Sequence, residues 1–416
     1  MNVNKVTKII KVFFVIALII VLLIAFSSSY TSLSIDNLAF VIAIAIDVGD
    51  SDENIKVTFQ LEKPSSISQN GSPEDDTTVM NTVETSSISR AINFMNAYIG
   101  KEINLSHCKL VVFSEEIASK NISDKIYTLI NDIQIRPSTN IIVSKTTAKY
   151  YLENSKPSLE TLPTRYYEIF PNSSKYTGYT VNITIGDFYR YLSSNCCEPY
   201  AILGGIIDID FDSLGNFSSK SPLDSGDMKS NEASISGERS AENIGLAVFK
   251  DGKIVGELNA METVCFLIVK NDVKGFFITI RNPRNSEKYI DLHLYYNNDS
   301  KSKVEIINNT PYITVNCKFD ARISSMHNDA KYVDDQVLKD ISEYAKAYMK
   351  LQISNYLYKT SKEYKSDINA FGLKALSCFR TIGDFEKYNW HKNYEDAFFT
   401  VNTEVNVKSS FLLTET

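Results

Sequence analysis

The sequence has few of the residue patterns that enzymes and metal sites commonly use. Its histidines show neither an H-E-x-x-H motif nor any other paired spacing, and no G-x-S-x-G nucleophile motif occurs. Gly245 and Gly252 do not form a phosphate-binding loop, because six residues instead of four separate them and Ile254 stands where Ser or Thr binds Mg²⁺. The sequence therefore predicts a protein without catalytic residues, cofactor or bound metal. The histidines are His107, His293, His327 and His391.

Three alternating aspartates are the nearest approach to a cation site. Asp208, Asp210 and Asp212 would project from one face of a strand. A calcium loop beginning at Asp208 needs a glycine where Ser213 stands and a glutamate where Ser219 stands, and the sequence has neither. We interpret these aspartates as a solvated strand end that leads into a polar loop.

The sequence has no basic cluster apart from the lysines near the N-terminus. A regular cysteine framework is also missing. The formal net charge of −7 argues against nucleic acid as a partner and against peripheral docking on anionic lipid. The six cysteines have no repeating spacing, and Cys108, Cys265 and Cys317 lie in apolar or alternating patterns typical of small buried residues. A structural disulfide is therefore not expected.

An apolar run at residues 12–26, with three lysines before it, is the strongest feature that is present. Such lysines keep the N-terminus in the cytoplasm, and a helix over 12–28 approaches the length that spans a bilayer. The sequence predicts a cytoplasmic stub at 1–11, a transmembrane anchor at 12–28 and an extracytoplasmic remainder. The run also fits a secretory signal cleaved at the small-x-small site Ala25-Phe26-Ser27, so this alternative stays open.

The sequence predicts a first α+β unit over residues 33–155. An almost wholly apolar strand over 38–46 is followed, after an acidic turn, by a strand over 55–62 in which apolar and polar residues alternate. The polar stretch 64–81 predicts a loop. Apolar residues at helical spacing then predict a helix that ends at Gly100, and further strands and short helices complete the unit.

A second unit is expected over residues 156–272. It contains a predicted helix at 185–192 and a predicted strand at 200–209. The polar segment 212–242 has too few large apolar residues to fold alone and predicts a flexible loop. Two strands joined at Asp251-Gly252 follow as a predicted hairpin, with a helix after it.

A third unit is expected over residues 273–416. Alternating apolar and polar residues predict several antiparallel strands, each with one buried face. A long helix is predicted over 333–358 and a closing strand over 399–407. The whole chain is thus predicted to be α+β, with three consecutive mixed units of mainly antiparallel sheet and helices packed on one face.

Four motifs follow one another along these units. They are the strand over 37–47, the strand-to-helix segment over 106–118, the hairpin over 245–256 with a glutamate after it, and an aspartate followed by Phe371-Gly372. In this order they resemble the Ger(x)C family, the C subunits of spore nutrient germinant receptors. The matched positions, which we expect to have structural or interaction roles, are Asn37, Asp47, His107, Ser114, Glu115, Gly245, Phe249, Gly256, Glu262, Asp367 and Gly372.

The chain departs from the family pattern at the lipid anchor. Ser29-Tyr30 stand where the family usually has a lipidated Cys-Trp pair, so Ser29 leaves no lipidation site there. An uncleaved helix would replace the lipid as a stronger tether. Ala45 also stands in place of a glycine that is usual before Ile46-Asp47.

The resemblance implies a non-enzymatic protein on the outer face of the spore inner membrane. Its implied partners are integral membrane A- and B-type receptor subunits, which are needed to sense amino acids, sugars or nucleosides. Two other readings stay open: a membrane-tethered solute-binding protein with a ligand cleft between units, and an exported hydrolase, which would need a clustered nucleophile and base.

Overall fold

A computed structural model shows two β-sheets with helices packed around them. The described residues are 3–27, 35–63, 77–157, 159–160, 162–207, 226–232, 235, 237, 240–296, 300–326 and 335–408, and in the first helix the side chains of 10–22. Within this part of the chain, no helix combines the length and apolarity needed to cross a membrane. Outside it lie Ser29, Tyr30, Asp208, Asp210, Asp212, Ser213, Ser219, His327 and most of the 212–242 segment.

The larger sheet has nine strands in the order β3-β2-β1-β5-β6-β7-β8-β9, with the short β4 beside the start of β1. β1, β5, β6 and β7 are parallel, and antiparallel strands flank them on both sides. The parallel strands are rich in Val and Ile because both faces of the sheet are covered there. The strands are β1 (Leu38–Val48), β2 (Ile55–Glu62), β3 (Thr78–Thr85), β4 (Glu102–Asn104), β5 (Leu110–Ser114), β6 (Asn140–Ser144), β7 (Tyr200–Ile206), β8 (Ala241–Lys250) and β9 (Lys253–Leu258).

Among the described residues, nine α-helices precede, connect or follow these strands. The second, α2, begins after the cap Ser87 and ends at Gly100, whose left-handed backbone suits glycine. The ninth, α9, follows β9 directly and is buried along most of its length. The helices are α1 (Val3–Ser27), α2 (Ile88–Ile99), α3 (Glu115–Ser119), α4 (Ser123–Asn131), α5 (Ala148–Glu153), α6 (Pro163–Ile169), α7 (Ser174–Thr177), α8 (Ile185–Leu192) and α9 (Ala260–Lys270).

The smaller sheet has five strands and is formed by the C-terminal part of the chain. The long β13 pairs antiparallel with β11 and β12 on one side and parallel with β14 on the other. The helix α10 packs along β14 and continues into a π-helical turn, Lys359–Glu363. The elements are β10 (Gly275–Asn282), β11 (Asn285–Tyr296), β12 (Lys301–Ile307), β13 (Thr310–Met326), α10 (Asp335–Tyr358), α11 (Phe371–Ala375), α12 (Ile382–Tyr388), α13 (Trp390–Tyr394) and β14 (Phe398–Lys408).

The structure confirms a mixed α/β fold with antiparallel and mixed sheets, and it corrects three details. Helices were expected on one face, but the centre of the larger sheet is covered on both faces, because consecutive residues of β1, β5 and β6 are buried. The stretch 64–81 is not all loop, because Thr78 begins β3, a polar edge strand. The centre of the larger sheet is parallel, so the emphasis on antiparallel pairing holds only for its flanks and for most of the smaller sheet. One sheet contains strands from both sides of the boundary expected at residue 156, and the division into three units stays a prediction.

Candidate functional site

The carboxylate of Asp367 lies wholly inside the protein, just before α11. Its Oδ1 accepts a hydrogen bond from the N–H of Phe371 at 3.1 Å. Its Oδ2 accepts from the N–H of Gly372 and from the indole Nε1–H of Trp390, both at 2.8 Å. Burial raises the pKa of Asp367 to about 6, although these donors oppose the rise. The carboxylate therefore links the first turn of α11 to α13.

Gly372 allows the chain to approach this carboxylate closely. A Cβ at this position would lie 2.2 Å from the carbonyl oxygen of Cys196 and 2.7 Å from the indole nitrogen of Trp390. Cys196 belongs to the loop before β7, so this contact joins the larger sheet to the C-terminal helices. Only glycine fits between the two backbones and the ring.

Glu198 continues the same contact on the side of the larger sheet. Its N–H donates to the carbonyl of Asp367 at 3.1 Å, and its Oε2 accepts from the N–H of Asp251 at 3.2 Å. The imidazole Nδ1 of His391 lies 3.5 Å from its Oε1. Glu198 is only 5% exposed, and this burial raises its pKa to about 7. Burial also lowers the pKa of His391.

The β8–β9 hairpin binds the segment between α10 and α11. The hydroxyl of Ser366 donates to the carbonyl of Phe249 at 2.6 Å. A Cβ on Gly256 would lie 2.2 Å from the ring of Tyr364, so glycine is needed for the ring to rest on β9. The Tyr364 hydroxyl then donates to the carbonyl of Glu257 at 2.9 Å.

Glu262 forms both a helix cap and an ion pair. In the first turn of α9, its side chain accepts from the N–H of Asn259, and the Asn259 side chain accepts from the N–H of Glu262, which is a capping box. The ammonium of Lys359 lies 2.8 Å from its Oε1. The β8–β9 hairpin and α9 thus form one side of a buried contact, and the C-terminal helices form the other. We call this contact the joint. Its motif residues are Phe249, Gly256, Glu262, Asp367 and Gly372.

Asp47, Ser114 and Glu115 lie apart from the joint, at the carboxyl ends of the parallel strands. The Asp47 carboxylate accepts from the N–H groups of Ala148 at 2.7 Å and Lys149 at 3.0 Å, in the first turn of α5. Burial raises its pKa, although these two donors oppose the rise. Ser114 ends β5, and Glu115 begins α3. Asp47 thus binds the start of a short helix to the end of β1.

Two lysines and a glutamate lie beside Glu115 near this end of the sheet. Oε2 of Glu257 lies 3.2 Å from Nζ of Lys145 and 3.3 Å from Nζ of Lys229. Burial raises the pKa of Glu115, and the negative charge of Glu257 raises it further. The ammonium groups of Lys145 and Lys229 oppose this rise. The two lysines therefore partly neutralise the charges of Glu115 and Glu257.

The other three motif positions lie outside both clusters. Gly245, in β8, has a φ of +99°, and a Cβ there would lie 2.4 Å from the carbonyl oxygen of Leu258. Asn37 is exposed in the short turn before β1. His107 stacks on Phe40, with ring centroids 4.5 Å apart. Among the described residues, no group of three or more His, Cys, Asp or Glu is placed to hold a metal ion.

Sequence reasoning missed most of the residues that complete the joint. Trp390 is the single tryptophan and is buried, and its rarity was the only signal that could have singled it out. Four further partners carry no local pattern, because each acts across a long sequence separation. They are Glu198, Lys359, Tyr364 and His391.

These contacts define a two-sheet α/β protein whose motif residues bind its own elements together. A family model described as the spore germination protein N-terminal domain matches residues 32–203. A second, described as spore germination B3/GerAC like, C-terminal, matches residues 244–410. The chain belongs to the Ger(x)C family of spore germination proteins.

A solved structure has the same fold. It is described as the crystal structure of the GerBC protein, and it is similar to this chain with a TM-score of 0.51 at 16% sequence identity. The similarity covers 88% of this chain and 96% of that one. No curated protein matches the sequence.

Proposed function

We propose that this chain is the C-type subunit of a spore nutrient germinant receptor and supports receptor assembly and germination signalling. The observation that carries the proposal is the match of two germination-protein domains in order, over residues 32–203 and 244–410. The expected partners are integral membrane A- and B-type subunits. A subunit that assembles with others needs fixed surfaces, and the joint supplies a buried connection between the larger sheet with α9 and the C-terminal helices.

Three further features belong to this proposal. The apolar run at residues 12–26 acts as an uncleaved anchor, without a lipid at Ser29, at the spore inner membrane. The bulk of the chain is extracytoplasmic. The subunit acts without catalysis, because the acidic motif residues are engaged by the fold: Asp367 accepts three N–H groups and Glu262 pairs with Lys359.

Purification of the full-length chain from spore membranes, followed by intact-mass analysis, tests the proposal. We expect A- and B-type subunits to co-purify with a chain that still carries its N-terminal residues. A soluble chain that begins near Ser28 and has no membrane partners would contradict it. That result would favour the solute-binding alternative, which thermal stabilisation by a small nutrient would then test.

A further inference from the structure

The helix α2 exposes a stripe of aromatic and basic side chains. Phe94 is 52% exposed and Tyr98 is 76% exposed, whereas the opposite side of the helix is buried against the larger sheet. Arg90 lies one turn before Phe94, and Lys101 follows the helix end. Spacings of four residues bring Arg90, Phe94 and Tyr98 to one side of the helix axis, and the half-buried Lys101 lines the adjacent groove after the left-handed turn at Gly100. We call these four residues the α2 stripe.

Two grooves beside the edge strand β3 extend this apolar surface. One, of about 410 Å³, is lined mainly by apolar side chains that include Phe40, Val79 and Ile99. The other, of about 400 Å³, is lined by residues of β3 and by Phe94 and Tyr98 of the stripe. Asn81 lines both grooves, so the stripe and the grooves form one continuous face.

The charge of the stripe is opposite to that of the whole chain. The segment 88–101 contains Arg90 and Lys101 and no Asp or Glu, whereas the complete chain carries −7 and the adjoining grooves contain Asp36, Glu62 and Glu84. Aromatic residues with nearby lysine or arginine are typical of positions at the boundary between lipid headgroups and acyl chains. Basic side chains at that level are attracted to anionic lipid, an attraction that the net charge of the chain conceals.

The path of the chain places this face close to α1. Asp36 lines the larger groove, and residues 28–34 separate the end of α1 at Ser27 from the turn that contains Asp36. Eight Cα-to-Cα steps span at most about 27 Å. With α1 in the bilayer, the face is therefore held within reach of the headgroups.

We propose that the α2 stripe rests on the membrane surface, with Phe94 and Tyr98 among the headgroups of anionic phospholipids and Arg90 and Lys101 beside their phosphates. This inference rests on the proposed function, because it requires α1 as the anchor. It adds a second, peripheral contact that orients the extracytoplasmic part of the chain on the lipid.

Tryptophan fluorescence in proteoliposomes tests the contact. The full-length Phe94→Trp variant is reconstituted in phosphatidylglycerol vesicles with and without brominated acyl chains, which quench tryptophans at the lipid boundary. The matched control is Ile382→Trp, at a 72% exposed position that begins α12. The native Trp390 is 1% exposed and supplies the baseline of the unsubstituted chain. Thermal midpoints of both variants establish that they fold.

We expect brominated lipid to reduce the emission of Phe94→Trp and to leave that of Ile382→Trp at the baseline. The reduction is expected to weaken in phosphatidylcholine vesicles and in the Arg90→Gln/Lys101→Gln background. Equal emission with and without bromine, in protein that floats with the vesicles, would overturn the stripe contact and leave the anchor intact. Failure of the unsubstituted chain to float would instead overturn the anchor, and the stripe contact with it.

Discussion

At one edge of the nine-stranded sheet, the ring of Tyr364 rests on Gly256 of β9, whereas at the other edge two grooves lie beside β3. Near β9, charged residues form ion pairs within the fold, as Glu262 does with Lys359. Near β3, the prominent residues are aromatic and exposed, as Phe94 and Tyr98 are.

The difference separates residues that hold the protein together from residues that are available to contact something else. Five of the motif positions lie in the joint, so their chemistry is used inside the molecule. None of the motif positions lies on the α2 stripe, near β3. Substitutions in the joint are therefore expected to change stability, and substitutions on the stripe are expected to leave stability unchanged.

Gly372→Ala should have the largest effect, a loss of about 3 kcal/mol in the free energy of unfolding. The new Cβ would lie 2.2 Å from the carbonyl of Cys196, and a backbone atom cannot move aside as a flexible side chain does. The urea midpoint of the full-length chain measures this. The control is Gly383→Ala, whose Cβ would have its nearest neighbour, Thr381 Oγ1, at 3.9 Å and which should keep the midpoint or raise it. Equal midpoints for the two variants would refute the close packing of the joint.

Asp367→Asn should cost about 2 kcal/mol, measured in the same urea titration. An amide cannot accept from all three N–H donors, because its NH₂ group would face one or more of them. The exposed Asp396→Asn is the control and should stay within about 0.5 kcal/mol of the unsubstituted chain. A midpoint for Asp367→Asn as high as that of the control would show that the buried carboxylate is dispensable.

The stability of the joint should fall as pH rises. The folded chain keeps the proton of Glu198 up to about pH 7, whereas the unfolded chain releases it near pH 4.5, so the folded state loses stability between these values. Asp367 acts in the same direction between 3.8 and about 6. His391, with its lowered pKa, acts oppositely below pH 6.5.

Glu198→Gln isolates the glutamate contribution, because glutamine imitates the protonated acid at every pH. We expect the thermal midpoint of this variant, relative to the unsubstituted chain, to be higher at pH 8 than at pH 5. Lys250 and Asp251 also influence Glu198 but are present in both proteins. The same difference at both pH values would mean that Glu198 does not hold a proton in the folded state.

The pair Glu262–Lys359 should contribute about 1 kcal/mol of coupling, less than the preceding changes, because both side chains are partly solvated. Glu262→Gln keeps the capping box while removing the charge, and Lys359→Met keeps the length of the side chain. A double-mutant cycle of these two variants measures the coupling. Strictly additive effects would mean that the ion pair contributes nothing beyond the cap.

Phe94→Ser and Tyr98→Ser should have the smallest effect, within about 0.5 kcal/mol of the unsubstituted chain. Both side chains are exposed on α2, so their loss opens no cavity. Urea midpoints measured in the absence of lipid check this. A large loss of stability would place these residues inside the fold and remove the contrast between the two edges.

Much of the fold could be predicted because its signals are local. The α2 helix is confirmed to end at Gly100, the hairpin at Asp251-Gly252 is confirmed, and the closing strand is confirmed as β14. In each case the residues that determine the structure lie within one turn or one strand. Edge strand β3 escaped prediction because its sequence is largely polar and shows no regular alternation of apolar and polar residues.

The joint could not be predicted because its chemistry acts between distant parts of the chain. The motif residues Asp367 and Gly372 were singled out, but nothing in the sequence indicates that Cys196 meets Gly372 or that Trp390 donates to Asp367. The parallel order β1-β5-β6-β7 is likewise a property of strand pairing, which hydrophobic periodicity does not specify.

We propose that the joint maintains a subunit that assembles with membrane partners. The most direct test of this proposal is the purification of full-length Gly372→Ala and Gly383→Ala chains from spore membranes, with A- and B-type subunits quantified by mass spectrometry. We expect both subunits to co-purify with Gly383→Ala and to be lost with Gly372→Ala. Equal recovery of the subunits with the two variants would contradict this role of the joint. Failure to recover either subunit with Gly383→Ala and with the unsubstituted chain would also contradict it.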